Sequence, residues 1–150
     1  MRTPLDLNDW PVTPDEIQQW YESGENWMAS HGKRRLSALG HRLWEVASAR
    51  DTIEYLPLAS EFDLPHHGNY NVGWWSGLVS DYCWKVMGHV YLSAVLVTKE
   101  SKSPEHPKGV PARGYYSEES RTPEQKKREV LDEQKEVWDY CSTHPNPFHP

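Results

Sequence analysis

Four stretches of the chain decide its fold: LSALGHRLWEVA (36–47), DTIEYLPLASEFD (51–63), NVGWWSGLVSDYCWKVM (71–87) and YLSAVLV (91–97). The first has apolar residues three and four positions apart, which predicts an amphipathic helix. The second alternates over Thr52–Tyr55 like a short strand and then predicts two helical turns over Pro57–Asp63. The third predicts a long helix with Asn71 as its N-cap. The fourth predicts a strand that opens into a loop and returns at Tyr115–Tyr116.

This order of helices and strands is typical of a winged helix, which presents one helix and one hairpin to nucleic acid. We therefore expect an α+β fold in a single domain, residues 1–150, with a winged-helix-like core at 34–116. Amphipathic helices at 12–30 and 122–142 are expected to brace this core. The Pro-rich end, 143–150, is expected to be loose.

Both flanking helices begin with the same signal, a threonine N-cap followed by proline: Thr13-Pro14 and Thr122-Pro123. Gly32 is expected to end the first helix, since glycine serves readily as a left-handed cap. The second has one apolar stripe and one highly charged face. We expect it to dock on the core or on a second copy of the chain, which would make a homodimer.

The composition is that of a small, acidic, folded chain. Its 150 residues are 37% hydrophobic, they include 8 Trp and 8 Tyr that can bury large areas, and the formal net charge is −6. We expect Cys83 and Cys141 to be buried, reduced and inert. The sequence has no apolar run of about 18 residues and no signal-like N-terminus, so we expect a cytoplasmic protein with no membrane partner.

Basic residues are concentrated in two segments, 29–50 and 99–114, of this acidic chain. Such asymmetry can mark a nucleic-acid face, although ordinary surface variation is the alternative explanation. Residues 33–35 are expected in the first turn of a helix, where the helix dipole disfavours cations and a bound phosphate would relieve the repulsion. The candidates for phosphate contacts are Lys33, Arg34, Arg35, Arg42, Lys99, Lys102, Lys108 and Arg113.

The segment LWEV (43–46), followed by TIEYLPLA (52–59), a turn and a longer helix, resembles the winged-helix domain of alkylguanine alkyltransferases and alkyltransferase-like proteins. The resemblance covers about half of the chain and implies a DNA-binding shape. It does not imply alkyl transfer, because the Pro-Cys-His-Arg active-site sequence of that family is missing. Cys83 lies in mid-helix, in YCWK (82–85), with no adjacent histidine.

The sequence carries no clear signature of catalysis, metal binding or cofactor binding. GWWSG (73–77) is not a Gly-x-Ser-x-Gly nucleophile elbow, and it lies inside a predicted helix. The histidines offer at most paired ligands, such as His66 with His67 or His144 with His149, whereas a structural zinc site needs four ligands. We therefore expect a non-enzymatic protein with no metal and no cofactor.

Two functions are compatible with these patterns. The first is a winged-helix module that binds double-stranded DNA through the basic residues, in the style of a phage or mobile-element protein. The second is an acidic inhibitor that occupies a basic surface of another protein, for example a nucleic-acid-processing or defence enzyme. The inhibitor would use acidic residues of the last helix and two tryptophans: Glu129, Asp132, Glu136, Trp74 and Trp75.

Overall fold

A computed structural model describes residues 26–66, 68, 71–87, 90–111 and 123–148, of which 26–35, 81–82, 84–87 and 123–127 are described by their backbone only. Within these residues the fold is α+β, with four helices and one two-stranded parallel sheet. The helices are α1 (Asn26–Ser48), α2 (Tyr55–Phe62), α3 (Val72–Met87) and α4 (Pro123–Thr143); the strands are β1 (Ile53–Glu54) and β2 (Leu96–Val97).

α1 is one continuous helix where the sequence predicts two. The predicted stop at Gly32 is wrong, because the helix passes through this residue and ends at Ser48. A glycine inside a helix costs only about 1 kcal/mol relative to alanine, and packing of the apolar stripe outweighs that cost. The part of the predicted helix 12–30 that precedes residue 26 lies outside the described residues. The stripe of α1 is buried as predicted: Leu36, Leu39, Leu43, Val46 and Ala47.

The end of α1 is a Schellman motif that turns the chain towards β1. The N–H of Asp51 donates to the carbonyl oxygen of Val46 at 3.1 Å, and the N–H of Arg50 donates to that of Ala47 at 2.9 Å. Arg50 has a φ of 56°, the left-handed conformation that this motif requires.

β1 and β2 run parallel, with Ile53 paired to Leu96 and Glu54 to Val97. The predicted strand Tyr91–Val97 is therefore wrong over most of its length, because Leu92–Val95 forms a 3₁₀ turn. The residues from 92 to 97 are all buried, so this run has no polar face. An apolar run without a polar face gives no period from which strand and helix can be distinguished.

The loop expected to be a wing folds back on itself after β2. The N–H of Thr98 donates to Val110 O at 3.1 Å, and the Ser101 hydroxyl donates to Thr98 O at 2.7 Å and accepts the Val110 N–H at 2.8 Å. The described residues form no hairpin, and the return predicted at Tyr115–Tyr116 lies outside them. The winged-helix identity thus stays a prediction.

α3 begins where the sequence predicts. Asn71 Oδ1 accepts the backbone N–H of Trp74 at 3.0 Å, which is the contact of an N-cap. One face of α3 is buried, at Val72, Trp75, Val79 and Cys83. The buried hydroxyl of Ser80 accepts the N–H of Ser93 at 2.8 Å, which joins α3 to the 3₁₀ turn.

α4 docks on the core of its own chain, which was one of its two predicted positions. Val130, Val137 and Cys141 are buried. Gln134 is buried as well, and its side-chain amide donates to Ala94 O at 2.8 Å and to Gly109 O at 3.1 Å. This amide satisfies two carbonyl groups and fixes α4 to both the 3₁₀ turn and the loop that follows β2.

The expectation of a loose C-terminal segment is wrong for residues 144–148. Asn146 Nδ2 donates to His41 O at 3.0 Å, and Phe148 is 4% exposed. The Phe148 ring lies against Gly40, where an added Cβ would come within 2.7 Å of it, and edge-on to Trp44 at 6.3 Å between ring centroids. Burial of the Phe148 ring against Gly40 stabilises this segment, and this gain outweighs the tendency of a Pro-rich chain end to be loose.

Cys83 and Cys141 are both buried, as the sequence predicts, and the two do not form a disulfide bond. Burial raises the pKa of the Cys141 thiol well above its usual range, and the neighbouring Cys83 raises it further. Because the thiolate is the reactive form, this pKa keeps Cys141 in the unreactive thiol form at neutral pH.

Candidate interaction surfaces

The basic cluster at residues 33–35 lies in the interior of α1. The helix begins at Asn26, so the expectation that Lys33, Arg34 and Arg35 occupy a first turn is wrong. The helix-dipole repulsion predicted for them does not apply, since that effect falls off within one turn. Their side chains lie outside the described part of the chain, as does Arg113.

Arg42 is committed to an ion pair within the molecule. Its Nε donates to Glu61 Oε2 at 2.9 Å and its Nη2 donates to Glu61 Oε1 at 3.2 Å, a two-pronged contact that joins α1 to α2. The hydrogen bond to Glu61 raises the pKa of the Arg42 guanidinium. The planar fork of Arg42 is thus occupied by a carboxylate in the way it would otherwise bind a phosphate.

Lys102 contacts β1, and Lys108 contacts the segment that leads into it. Lys102 Nζ lies 2.9 Å from Glu54 Oε2. Lys108 Nζ donates to Arg50 O, lies 3.9 Å from Asp51 Oδ1 and stands 5.5 Å from the centroid of the Trp138 ring. These contacts hold the loop against β1, so both lysines have a structural role.

Lys99 differs from the other described candidates. It follows β2 directly, its side chain is exposed, and it makes no ion pair within the described residues. It is therefore the described basic candidate most available to a phosphate group.

The outward face of α4, called here the acidic face, carries the predicted carboxylates Glu129, Asp132 and Glu136. All three are exposed, whereas Val130 and Val137 on the opposite side are buried. Asp132 and Glu136 make no ion pair with any other described residue. Further along the helix, Asp139 Oδ1 binds Arg50 Nη1 at 2.8 Å. The structure therefore brings the three predicted acidic residues together on one face of α4.

The two tryptophans proposed as interface anchors have different environments. Trp74 is 36% exposed, so part of its ring reaches the surface. Trp75 is 0% exposed and lies in the core, so its prediction as an interface residue is wrong. Adjacent helical residues point about 100° apart. Trp75 therefore belongs to the buried stripe with Val72 and Val79, whereas Trp74 points away from it.

A cleft of about 510 Å³ opens beside the acidic face, between α4 and the chain that precedes the 3₁₀ turn. Its floor is apolar, with Val90 and Val137, and its rim is acidic. The Tyr140 ring is stacked on His144 with 3.9 Å between centroids and an interplanar angle of 7°. We call this 510 Å³ cleft the acidic cleft. Its lining residues are Val90, Tyr91, Glu133, Glu136, Val137, Asp139, Tyr140, Thr143 and His144.

A second cleft, of about 600 Å³, lies at the carboxyl ends of both strands. Glu54 and Tyr55 line it where β1 passes into α2, and Thr98 and Lys99 line it just after β2. Leu56 forms part of its wall and is 56% exposed. Crevices at the carboxyl ends of parallel strands are common ligand positions, but within the described residues this sheet has two strands.

The sequence predicts neither cleft. Tyr91 is far from α4 in the chain, and no local pattern indicates that the two meet. The spacing of Glu136, Tyr140 and His144 was the available signal, since residues four apart share a helix face. This spacing indicates a mixed acidic and aromatic stripe on α4. It does not indicate that Val90 and Tyr91 form the opposite side of a cleft.

No known protein family, curated protein or solved structure matches this chain. The resemblance to alkyltransferase winged helices therefore stays a prediction. In the described part of the chain no helix is long and apolar enough to cross a membrane. In the same residues no three His, Cys, Asp or Glu side chains are grouped as metal ligands.

Proposed function

We propose that this is a non-enzymatic docking protein that binds a basic surface of a protein partner through the acidic face of α4. One observation carries the proposal: Asp132 and Glu136 are exposed beside Glu129 and make no ion pair within the described residues, while the buried side of α4 is anchored in the core. A charged face on an anchored helix needs little reorganisation to bind, and it steers an oppositely charged partner.

Inhibition is the activity we expect from such docking. A protein that occupies the basic surface of a nucleic-acid-processing enzyme displaces the nucleic acid that binds there, and the net charge of −6 favours the encounter. This proposal includes a cytoplasmic location and is compatible with a phage or mobile-element origin.

Association with double-stranded DNA has less support. Arg42, Lys102 and Lys108 already contact carboxylates, so phosphate binding would have to replace those contacts. Each exposed pair is worth only about 0–1 kcal/mol, and Lys99 makes no such pair within the described residues. DNA binding therefore stays a prediction, which the same experiment tests.

The test compares a fluorescein-labelled peptide of alternating Arg and Lys with labelled mixed-sequence duplex DNA, by anisotropy over a range of salt concentrations. We expect the peptide to bind and the duplex not to bind at low salt. Asp132→Lys/Glu136→Lys should weaken peptide binding by about tenfold or more. The matched control is Glu100→Lys/Glu105→Lys, which changes the net charge equally at two exposed carboxylates of the loop after β2 and should change binding by less than about twofold.

Two results would overturn the proposal. Equal losses in both double variants would mean that net charge alone, and not the acidic face, attracts the peptide. Duplex binding that weakens steeply with salt and is reduced by Lys99→Glu would favour the DNA function instead. Lys99 is the better probe because reversal at Lys102 or Lys108 would also break the contacts that hold the loop on β1.

A further inference from the structure

The acidic cleft combines two features that a cationic, planar group needs. Carboxylates of Glu133 and Glu136 lie three residues apart on α4, so they are neighbours on one face of the helix. Tyr91 and Tyr140 line the same cleft. Carboxylates attract a cation, and aromatic faces attract it further when it is partly desolvated.

The lining of this open cleft also has an apolar part. Val90 and Val137 line it, are 4% and 1% exposed, and belong to the buried core. Nδ1 of His144, at the end of α4, lies 2.9 Å from the carbonyl oxygen of Tyr140. The imidazole ring of His144 also stacks on the ring of Tyr140.

From this geometry, and resting on the proposed function, we infer that the acidic cleft receives an arginine side chain of the basic protein partner. Arginine fits better than lysine for two reasons. Its planar guanidinium can bind a carboxylate with two hydrogen bonds, and it stacks on aromatic rings, whereas the lysine ammonium is a compact and strongly hydrated point charge. The volume of about 510 Å³ also accommodates backbone next to the arginine.

Glu136 is the central residue of this inference. It lines the cleft, belongs to the exposed acidic face and makes no ion pair with the described part of the chain. Asp132 lies on the same helix and is equally exposed, but it does not line the cleft. Substitutions at these two residues therefore distinguish binding in the acidic cleft from general electrostatic attraction to the acidic face.

The test measures the affinities of hexa-arginine and hexa-lysine by isothermal titration calorimetry with the full chain. We expect hexa-arginine to bind about three- to tenfold more tightly. Glu136→Gln should remove this preference, while Asp132→Gln should weaken both peptides by the same factor. In NMR spectra the ring resonances of His144 should shift with hexa-arginine more than with hexa-lysine.

The possible failures are distinguishable. Equal affinities for the two peptides in the unmodified protein would overturn the arginine cleft and leave the docking function in place. A preference that survives Glu136→Gln, with unchanged His144 resonances, would also overturn it, because the arginine would then bind elsewhere. If neither peptide binds at low salt, the docking function fails and the cleft inference fails with it.

Discussion

Arg50 lies where a glycine would fit the backbone better. Its φ of 56° is left-handed, which costs a non-glycine residue roughly 1–2 kcal/mol. Arg50→Gly and Arg50→Ala both lose the exposed ion pair with Asp139, but only glycine relieves the strain. Allowing for the greater chain entropy of unfolded glycine, we expect Arg50→Gly to be more stable than Arg50→Ala by about 0.5–1 kcal/mol. Urea denaturation measures the difference, and equal stabilities would show that the strain at Arg50 is no larger than the entropy cost of glycine.

Cys141 should make the protein less stable at alkaline pH. Below about pH 8.5, the usual pKa of a thiol, the folded and the unfolded chain both keep the proton. Above it the unfolded chain releases the proton, while burial and Cys83 keep the folded pKa raised. Stability therefore falls as pH rises, by up to about 1.4 kcal/mol per pH unit.

Cys141→Ala measures this contribution, because it removes the thiol and keeps the other alkaline groups. We expect the loss of unfolding free energy between pH 7 and pH 10 to be smaller in the variant than in the unmodified protein. Since the cavity left by alanine affects both pH values alike, the comparison uses the change with pH and not the absolute stability. An identical loss in both proteins would mean that Cys141 does not cause it.

At the scale of the secondary-structure elements, two glycines of α3 should respond differently to alanine. An added Cβ at Gly77 meets nothing within 4 Å, whereas one at Gly73 would lie 2.7 Å from Tyr55 Cε1. We expect Gly77→Ala to raise the free energy of unfolding by about 0.5–1 kcal/mol. Gly73→Ala should be less stable than Gly77→Ala by about 1 kcal/mol or more, since the half-buried Tyr55 must shift. Thermal denaturation of the two variants checks the order, and the reverse order would contradict it.

The contact between α1 and the C-terminal segment should show strong coupling. Phe148→Ala removes a buried ring and should cost about 3 kcal/mol. Gly40→Ala should also be destabilising, because its Cβ would displace the same ring. Once the ring is gone the Cβ has room, so the double variant should cost clearly less than the sum of the two. A double-mutant cycle in urea measures the coupling, and simple additivity would place Phe148 away from Gly40 in solution.

The elements that could be predicted are those with a clear apolar period. The stripes of α1 and α4, at the described positions, and the cap at Asn71 are as the sequence indicates. Local signals failed where packing overrides them. Gly32 carries a stop signal inside a helix, whereas the helix end at Arg50 carries no glycine. The run 92–97 is buried throughout, so its conformation depends on the neighbours that surround it.

For the molecule as a whole, the sequence indicates the sign of each surface but not the contacts between surfaces. The charge pattern indicates three basic candidates whose side chains are in fact paired with carboxylates: Arg42 with Glu61, Lys102 with Glu54 and Lys108 with Asp51. These carboxylates all lie in the segment between α1 and α3. Such long-range pairing cannot be inferred from composition. The acidic face of α4 could be predicted because its charges and its buried stripe alternate within one helix. The acidic cleft could not, since it needs Tyr91 from another part of the chain.

The predicted single domain implies that the described elements unfold together. Residues of all four helices and Phe148 share one buried cluster, so loosening α4 should loosen the rest. Val137 is 1% exposed, and Val137→Ala should lower the free energy of unfolding by about 2 kcal/mol. The urea transitions followed by far-ultraviolet circular dichroism and by tryptophan fluorescence should coincide and shift by the same amount, as in two-state unfolding. Lys135→Ala, at an exposed position of the same helix, is the control and should shift neither. A circular-dichroism transition that shifts alone would mean that α4 unfolds apart from the tryptophan-rich core.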